Sequence, residues 1–136
     1  CLLVHPTSDI VATDFDGDGK LEILTFSKFH GDTLAIWHEG QTRDRYEQVW
    51  CDPQKRSFLH ALWAADLNGE KCAVIGNRKD GRDLLLVRYV DGEYTVDVID
   101  HDLGPANCMV YRHDGSDYIV AAYRETDQLA LYKVVE

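Results

Sequence analysis

The chain has 136 residues, 45% of them hydrophobic, and a formal net charge of −10 from 14 basic and 24 acidic residues. This length and apolar content predict one domain with a hydrophobic core and argue against disorder. The acidic balance disfavours nucleic acid and anionic membranes as partners, because both are bound by clustered positive charge. No apolar run approaches the about 18 residues of a membrane-spanning helix. We therefore expect no nucleic-acid binding, no membrane insertion, and a cation or a protein as partner.

The four cysteines, Cys1, Cys51, Cys72 and Cys108, show neither CxxC nor Cys/His zinc spacing. Because most of them lie in apolar segments, we expect buried free thiols rather than a disulfide framework. The chain begins with Cys rather than Met, which favours a processed product or a piece of a longer protein. The sequence assigns no compartment.

Along the chain, apolar residues alternate with polar ones or form short runs separated by Gly, Asp and Asn, which is the pattern of strands and turns. The one ambiguous segment is 52–58, where Pro53 and Ser57 favour a loop. In chain order we predict strands at 2–4, 9–13, 21–27, 33–38, 46–50, 61–65, 72–77, 83–89, 94–99, 108–111, 118–123 and 128–134.

One pattern occurs three times: a strand, an Asp- or Gly-rich turn, a second strand ending in a basic residue, and a third strand. Four-stranded repeats of about 45 residues are typical of β-propeller blades. We therefore predict an all-β fold of three four-stranded antiparallel blades in a single domain spanning residues 1–136. The blades would cover about 8–51, 60–100 and 107–136.

Three blades are too few to close a ring, which takes about four to eight. The third copy stops after its third strand, and a strand equivalent to 1–4 is expected to complete it. We expect the ring to be closed in one of two ways. Either a second copy supplies the missing half, giving six blades about a two-fold axis, or residues of a longer chain do.

The segment from Asp14 to Glu22 reads DFDGDGKLE and places carboxylates at alternate positions of a glycine-bearing turn. Several oxygen ligands folded around one point select Ca²⁺. The segment begins like an EF-hand loop, but its twelfth position is Thr25 instead of Glu and both flanks are strand-like. A solvated turn is the alternative. We favour a calcium site, because these carboxylates would otherwise repel one another.

This segment resembles the DxDxDGxx(D/E) loop of FG-GAP and VCBS repeats, the calcium-bearing blades of integrin α-chain propellers, and the flanking DIVAT and ILTF are similar as well. The resemblance implies a structural calcium ion that joins the first two strands of a blade. The implied ligands are the carboxylates of Asp14, Asp16, Asp18 and Glu22 and the carbonyl oxygen of Lys20. The second copy, starting at Asp66, is two residues shorter, which leaves metal binding there open, and the third copy predicts none.

At the opposite edge of each blade, the start of the first strand meets the end of the second. The residues placed there are Ser8, Lys28, His60, Arg78, Asn107 and Arg124. In a propeller this edge surrounds the mouth of the central channel, so Lys28, His60, Arg78, Asn107 and Arg124 are candidates to bind an anion or a carbohydrate. The alternative is that each basic residue pairs with a local carboxylate.

His60 is the best candidate for acid–base chemistry, because its ordinary pKa lies near neutrality. The stretch HALWAADLNG from His60, followed by GNR ending at Arg78, resembles the propeller of aldos-2-ulose dehydratases, which act on sugars. That resemblance implies a sugar-transforming lyase or isomerase with His60 and Arg78 as catalytic candidates. Two functions follow: a calcium-binding propeller segment that serves as a scaffold for a ligand or protein, or part of such an enzyme.

The tryptophans Trp37, Trp50 and Trp63 and the seven tyrosines could stack on carbohydrate. At alternating strand positions such residues more often fill the space between blades. Their exposure distinguishes the two roles.

Overall fold

The computed structural model describes residues 6–28, 31–42 and 44–135, which form three antiparallel sheets. The first sheet contains β1 (Thr7–Thr13), β2 (Glu22–Ser27), β3 (Thr33–Glu39) and β4 (Tyr46–Cys51). The second contains β5 (Leu59–Leu67), β6 (Glu70–Asn77), β7 (Leu84–Val90) and β8 (Glu93–Asp100). The third contains β9 (Pro105–His113), β10 (Ser116–Tyr123) and β11 (Gln128–Lys133), with a 3-10 turn at Arg124–Thr126.

The predicted all-β fold is confirmed, and each strand pairs with its neighbour in chain order. Segment 52–58 is a loop, as the sequence predicts. The third sheet has three strands in the part of the chain that the structure describes. The predicted strand 2–4, whose equivalent was expected to complete this sheet, lies outside the described residues.

The second sheet lies between the other two, and its central strand β6 is buried on both faces. Ala73 and Ile75 pack in a core cluster shared with the first sheet, whereas Cys72 and Val74 pack in a cluster shared with the third. This alternation follows from the two-residue period of a strand. The first strands of the sheets are neighbours, since β5 contacts both β1 and β9.

Two-residue turns close three of the hairpins, at Asn68-Gly69, Asp91-Gly92 and Asp114-Gly115, and all six residues have positive φ. Asx-Gly pairs favour this conformation, which matches the twist of the two flanking strands. The connection between β1 and β2 is different, because eight residues, 14–21, separate these two strands.

The loop between the first and second sheets is held by a buried ion pair that sequence reasoning did not predict. The Arg56 guanidinium donates to the Asp52 carboxylate at 2.8 Å, and the two side chains are only 5% and 3% exposed. Arg56 Nη1 also lies 3.9 Å from Asp83 Oδ2, just before β7. The pair therefore connects this loop to the second sheet.

The face of the third sheet that points away from the second carries exposed apolar side chains. Leu129, Leu131 and Met109 are 76%, 58% and 43% exposed. A shallow cavity of about 280 Å³ continues this face to Trp63 on β5. In the second sheet the corresponding side chains are covered, whereas none of the residues that the structure describes packs over this side of the third sheet.

Cys72 and Cys108 are buried free thiols, as predicted, and Cys51 is a half-buried free thiol. Burial raises the pKa of Cys72 and of Cys108 to about 12. Cys1 lies outside the described residues. Within the described ranges no helix has the length and apolar character needed to cross a membrane.

Candidate metal centre

The loop between β1 and β2 is organised by its own carboxylates. Asp14 accepts the backbone N–H groups of Gly17 and Gly19 at 2.8 and 3.0 Å. Gly17 and Gly19 have φ of 76° and 87°, a backbone conformation that residues with a Cβ atom rarely adopt. Further along, Asp16 accepts the N–H of Asp18, and Asp18 accepts that of residue 20, at 3.1 and 2.8 Å. The spacing of Asp and Gly thus fixes the backbone of the loop.

Glu22 opens β2 and pairs with Thr13 across the hairpin, so its side chain points to the base of the loop. The residue is fully buried. Its Oε2 accepts the Phe15 N–H at 2.6 Å, whereas its Oε1 has no hydrogen-bond partner. Burial is the main cause that raises the pKa of this carboxyl, and nearby Asp16 adds to it. A buried carboxylate oxygen without a donor is unfavourable and calls for a positive partner.

The neighbouring strand β3 contributes His38, which is not among the predicted ligands. Its Nε2 lies 3.1 Å from Asp18 Oδ2 and 3.5 Å from Glu22 Oε1. Its Nδ1 lies 2.9 Å from the Glu39 carbonyl oxygen, and this contact, followed by the contact with Asp18, raises the His38 pKa. The pairing of Ile23 with Trp37 brings His38 to this place, and no local spacing in the sequence signals it.

One ligand atom each from Asp16, Asp18, Glu22 and His38 lies within 4.8 Å of the others. The structure therefore brings together three of the four predicted carboxylate ligands, Asp16, Asp18 and Glu22. The fourth, Asp14, accepts loop N–H groups with both of its oxygens, and the predicted carbonyl ligand of Lys20 stays a prediction. Three carboxylates fit a hard divalent cation such as Ca²⁺, while the imidazole is a donor that calcium sites use less often.

A cleft of about 490 Å³ opens beside this cluster, between the first sheet and the β7–β8 hairpin of the second. Asp16 and His38 lie on its wall, together with Trp50, Tyr89 and Tyr94. The Tyr94 ring lies 4.9 Å from that of Tyr89 and 6.0 Å from that of Trp50. Burial, with the negative charges of Glu22 and Asp16, holds the pKa of Tyr94 above its usual range. The acidic cluster and the aromatic rings therefore share one space.

The second turn is built differently from the first. Lys71 donates to Asp66 at 2.6 Å, so the carboxylate equivalent to Asp14 already has a cationic partner. The Asn68 N–H donates to the Asp117 carboxylate on β10 at 2.8 Å, and the Arg112 guanidinium also donates to Asp117. Side chains of the protein thus neutralise these carboxylates.

The opposite edge brings together two of its predicted residues. The Arg78 guanidinium lies over the Phe58 ring, 5.1 Å from its centroid. The His60 ring also stacks on Phe58, with the two ring centroids 5.9 Å apart. Arg78 Nε donates to Glu125 at 3.1 Å, which lowers the pKa of that carboxyl. His60 Nδ1 lies 2.8 Å from the Ala106 carbonyl oxygen.

The other three candidates at this edge are exposed: Lys28 after β2, Asn107 on β9 and Arg124 in the 3-10 turn. Asn107 accepts the N–H of Cys108 at 2.9 Å and borders the shallow apolar cavity. The ion pair of Arg78 with Glu125 agrees with the expectation that a basic residue at this edge pairs with a nearby carboxylate.

A comparison with models of known protein families and with curated proteins finds no match to this chain.

Proposed function

We propose that this chain is a calcium-binding segment of a β-propeller that acts as a scaffold for a ligand or a protein. The observation that carries the proposal is the buried Glu22 Oε1, which lacks a hydrogen-bond partner and faces Asp16, Asp18 and His38. A divalent cation at this point would neutralise the three carboxylates and satisfy the orphaned oxygen.

The arrangement of the sheets supports the propeller part of the proposal. Three sheets follow one another in chain order, their first strands are neighbours, and the middle sheet is buried on both faces. The apolar outer face of the third sheet needs a similar partner. Either a second copy or further residues of a longer chain would supply it.

The cation would have a structural role. It would link the β1–β2 loop to β3 through His38, and the loop itself contacts the second sheet through Phe15, whose ring lies 6.1 Å from that of Tyr94. Binding at the loop would therefore stabilise the contact between two sheets as well as one hairpin.

Thermal unfolding of the wild type and of Asp16→Ala, in calcium and in chelator, tests this proposal. Calcium should raise the melting temperature of the wild type, and the substitution should reduce that increase. Asp114→Asn removes a carboxylate from an exposed two-residue turn, keeps a side chain that tolerates the positive φ of this position, and is the control. Equal melting temperatures of the wild type in calcium and in chelator would contradict a calcium site.

A further inference from the structure

The cleft beside the acidic cluster combines two chemical features. On one side, the rings of Trp50, Tyr89 and Tyr94 form an apolar wall. On the other side lie Asp16 and His38, which also belong to the cluster that could hold a metal. A cation bound by this cluster would therefore face the aromatic wall across the cleft.

The cluster does not exhaust the bonding capacity of a calcium ion. Calcium takes about six to eight oxygen ligands, and the four side chains supply fewer than that. Glu22 closes the buried end, so positions left to water or ligand would lie toward the cleft, where Asp16 and His38 are accessible. Oxygen atoms of a small molecule in the cleft could replace that water.

The charge of the cleft restricts the ligand. Glu93 joins Asp16 on its wall, and the nearby Lys20 is directed to Glu39. These carboxylates would repel an anionic ligand, whereas a neutral ligand would not be repelled. The volume of about 490 Å³ lies in the range of small-molecule sites.

We propose that this cleft binds a neutral monosaccharide unit, with adjacent hydroxyl groups on the cation and the apolar ring face on Trp50 or Tyr89. Hydroxyl oxygens are hard ligands of the kind that calcium accepts. Aromatic rings provide a flat apolar surface on which the C–H face of a sugar packs. This site is distinct from the predicted channel mouth around His60, and it rests on the proposed calcium site.

Ligand-observed NMR with methyl α-D-mannopyranoside, methyl β-D-galactopyranoside and methyl α-L-fucopyranoside, in calcium and in chelator, tests the proposal. At least one of the three should bind in calcium and bind at least tenfold more weakly in chelator. Trp50→Leu should weaken binding roughly tenfold through loss of ring packing. Trp63→Leu, a matched change on β5 outside the cleft, should leave it unchanged.

Trp50 and Tyr89 both pack against the core as well, so Tyr89→Leu is an independent second variant with the same expected effect on binding. Calcium stabilisation of each variant shows that the fold and the metal site persist. Binding of none of the three glycosides, with calcium stabilisation intact, would overturn the cleft proposal alone. Equal binding in chelator would overturn the role of the cation. Loss of calcium stabilisation in the wild type would instead overturn the proposed function.

Discussion

Replacing Glu22 by Gln would separate the cost of the buried carboxylate from the benefit of a bound cation. In the cation-free protein, Glu22 Oε1 has no hydrogen-bond partner, and His38 Nε2 lies 3.5 Å from it. The Gln oxygen can still accept the Phe15 N–H, while its NH₂ group takes the position of Oε1 and faces the carboxylates of Asp16 and Asp18, which lie within 4.8 Å. We therefore expect the substitution to stabilise the protein in chelator.

The expected gain follows from the burial of this oxygen. An unsatisfied buried polar group costs about 1–3 kcal/mol, and more when it is charged. For a domain of this size, 1 kcal/mol corresponds to a change of roughly 3–5 °C in melting temperature. In chelator, Glu22→Gln should therefore melt several degrees above the wild type.

In calcium the order should reverse. A ligand at 100 times its dissociation constant stabilises the folded state by about 2.7 kcal/mol. Gln provides a neutral, weaker ligand in place of the only fully buried carboxylate of the described cluster, so most of this increment should be lost. The wild type should then be the more stable of the two proteins.

Differential scanning calorimetry of both proteins in calcium and in chelator measures this reversal. Glu70→Gln is the matched control, because Glu70 opens β6 as Glu22 opens β2 but is exposed. Its melting temperature should change little in either buffer. If Glu22→Gln were less stable than the wild type in chelator, the reasoning about the orphaned oxygen would be wrong.

Two other predictions concern the scaffold. Arg56→Ala leaves the buried carboxylate of Asp52 without its partner and should cost about 3–5 kcal/mol in chemical denaturation, whereas Arg88→Ala, which removes a more exposed pair, should cost at most about 1 kcal/mol. Similar losses for the two variants would contradict the importance assigned to burial. Leu131→Lys places a charge on the open face of the third sheet and should reduce self-association in light scattering. An identical mass distribution for the wild type and Leu131→Lys would show that this face does not mediate association.

The sequence was sufficient for the features that depend on short-range pattern. Alternating apolar residues between Gly, Asp and Asn turns identified the strands, because successive side chains of a strand point to opposite faces of the sheet. The segment from Asp14 to Glu22 revealed its acidic loop for a similar reason, since Asp and Gly at alternate positions determine the local turn. Asp16, Asp18 and Glu22 were predicted ligands, and they lie together in the structure.

Tertiary structure decided what depends on pairing between distant segments. His38 reaches the cluster only because β3 pairs with β2 in one register, and a shift of one residue would turn it to the other face. Trp50, Tyr89 and Tyr94 come from two sheets, so their shared cleft has no sequence signature. The ion pair of Arg56 likewise depends on how the loop at 52–58 folds back. Local pattern sets the elements and the loop, whereas the neighbours of each side chain follow from how the sheets pack.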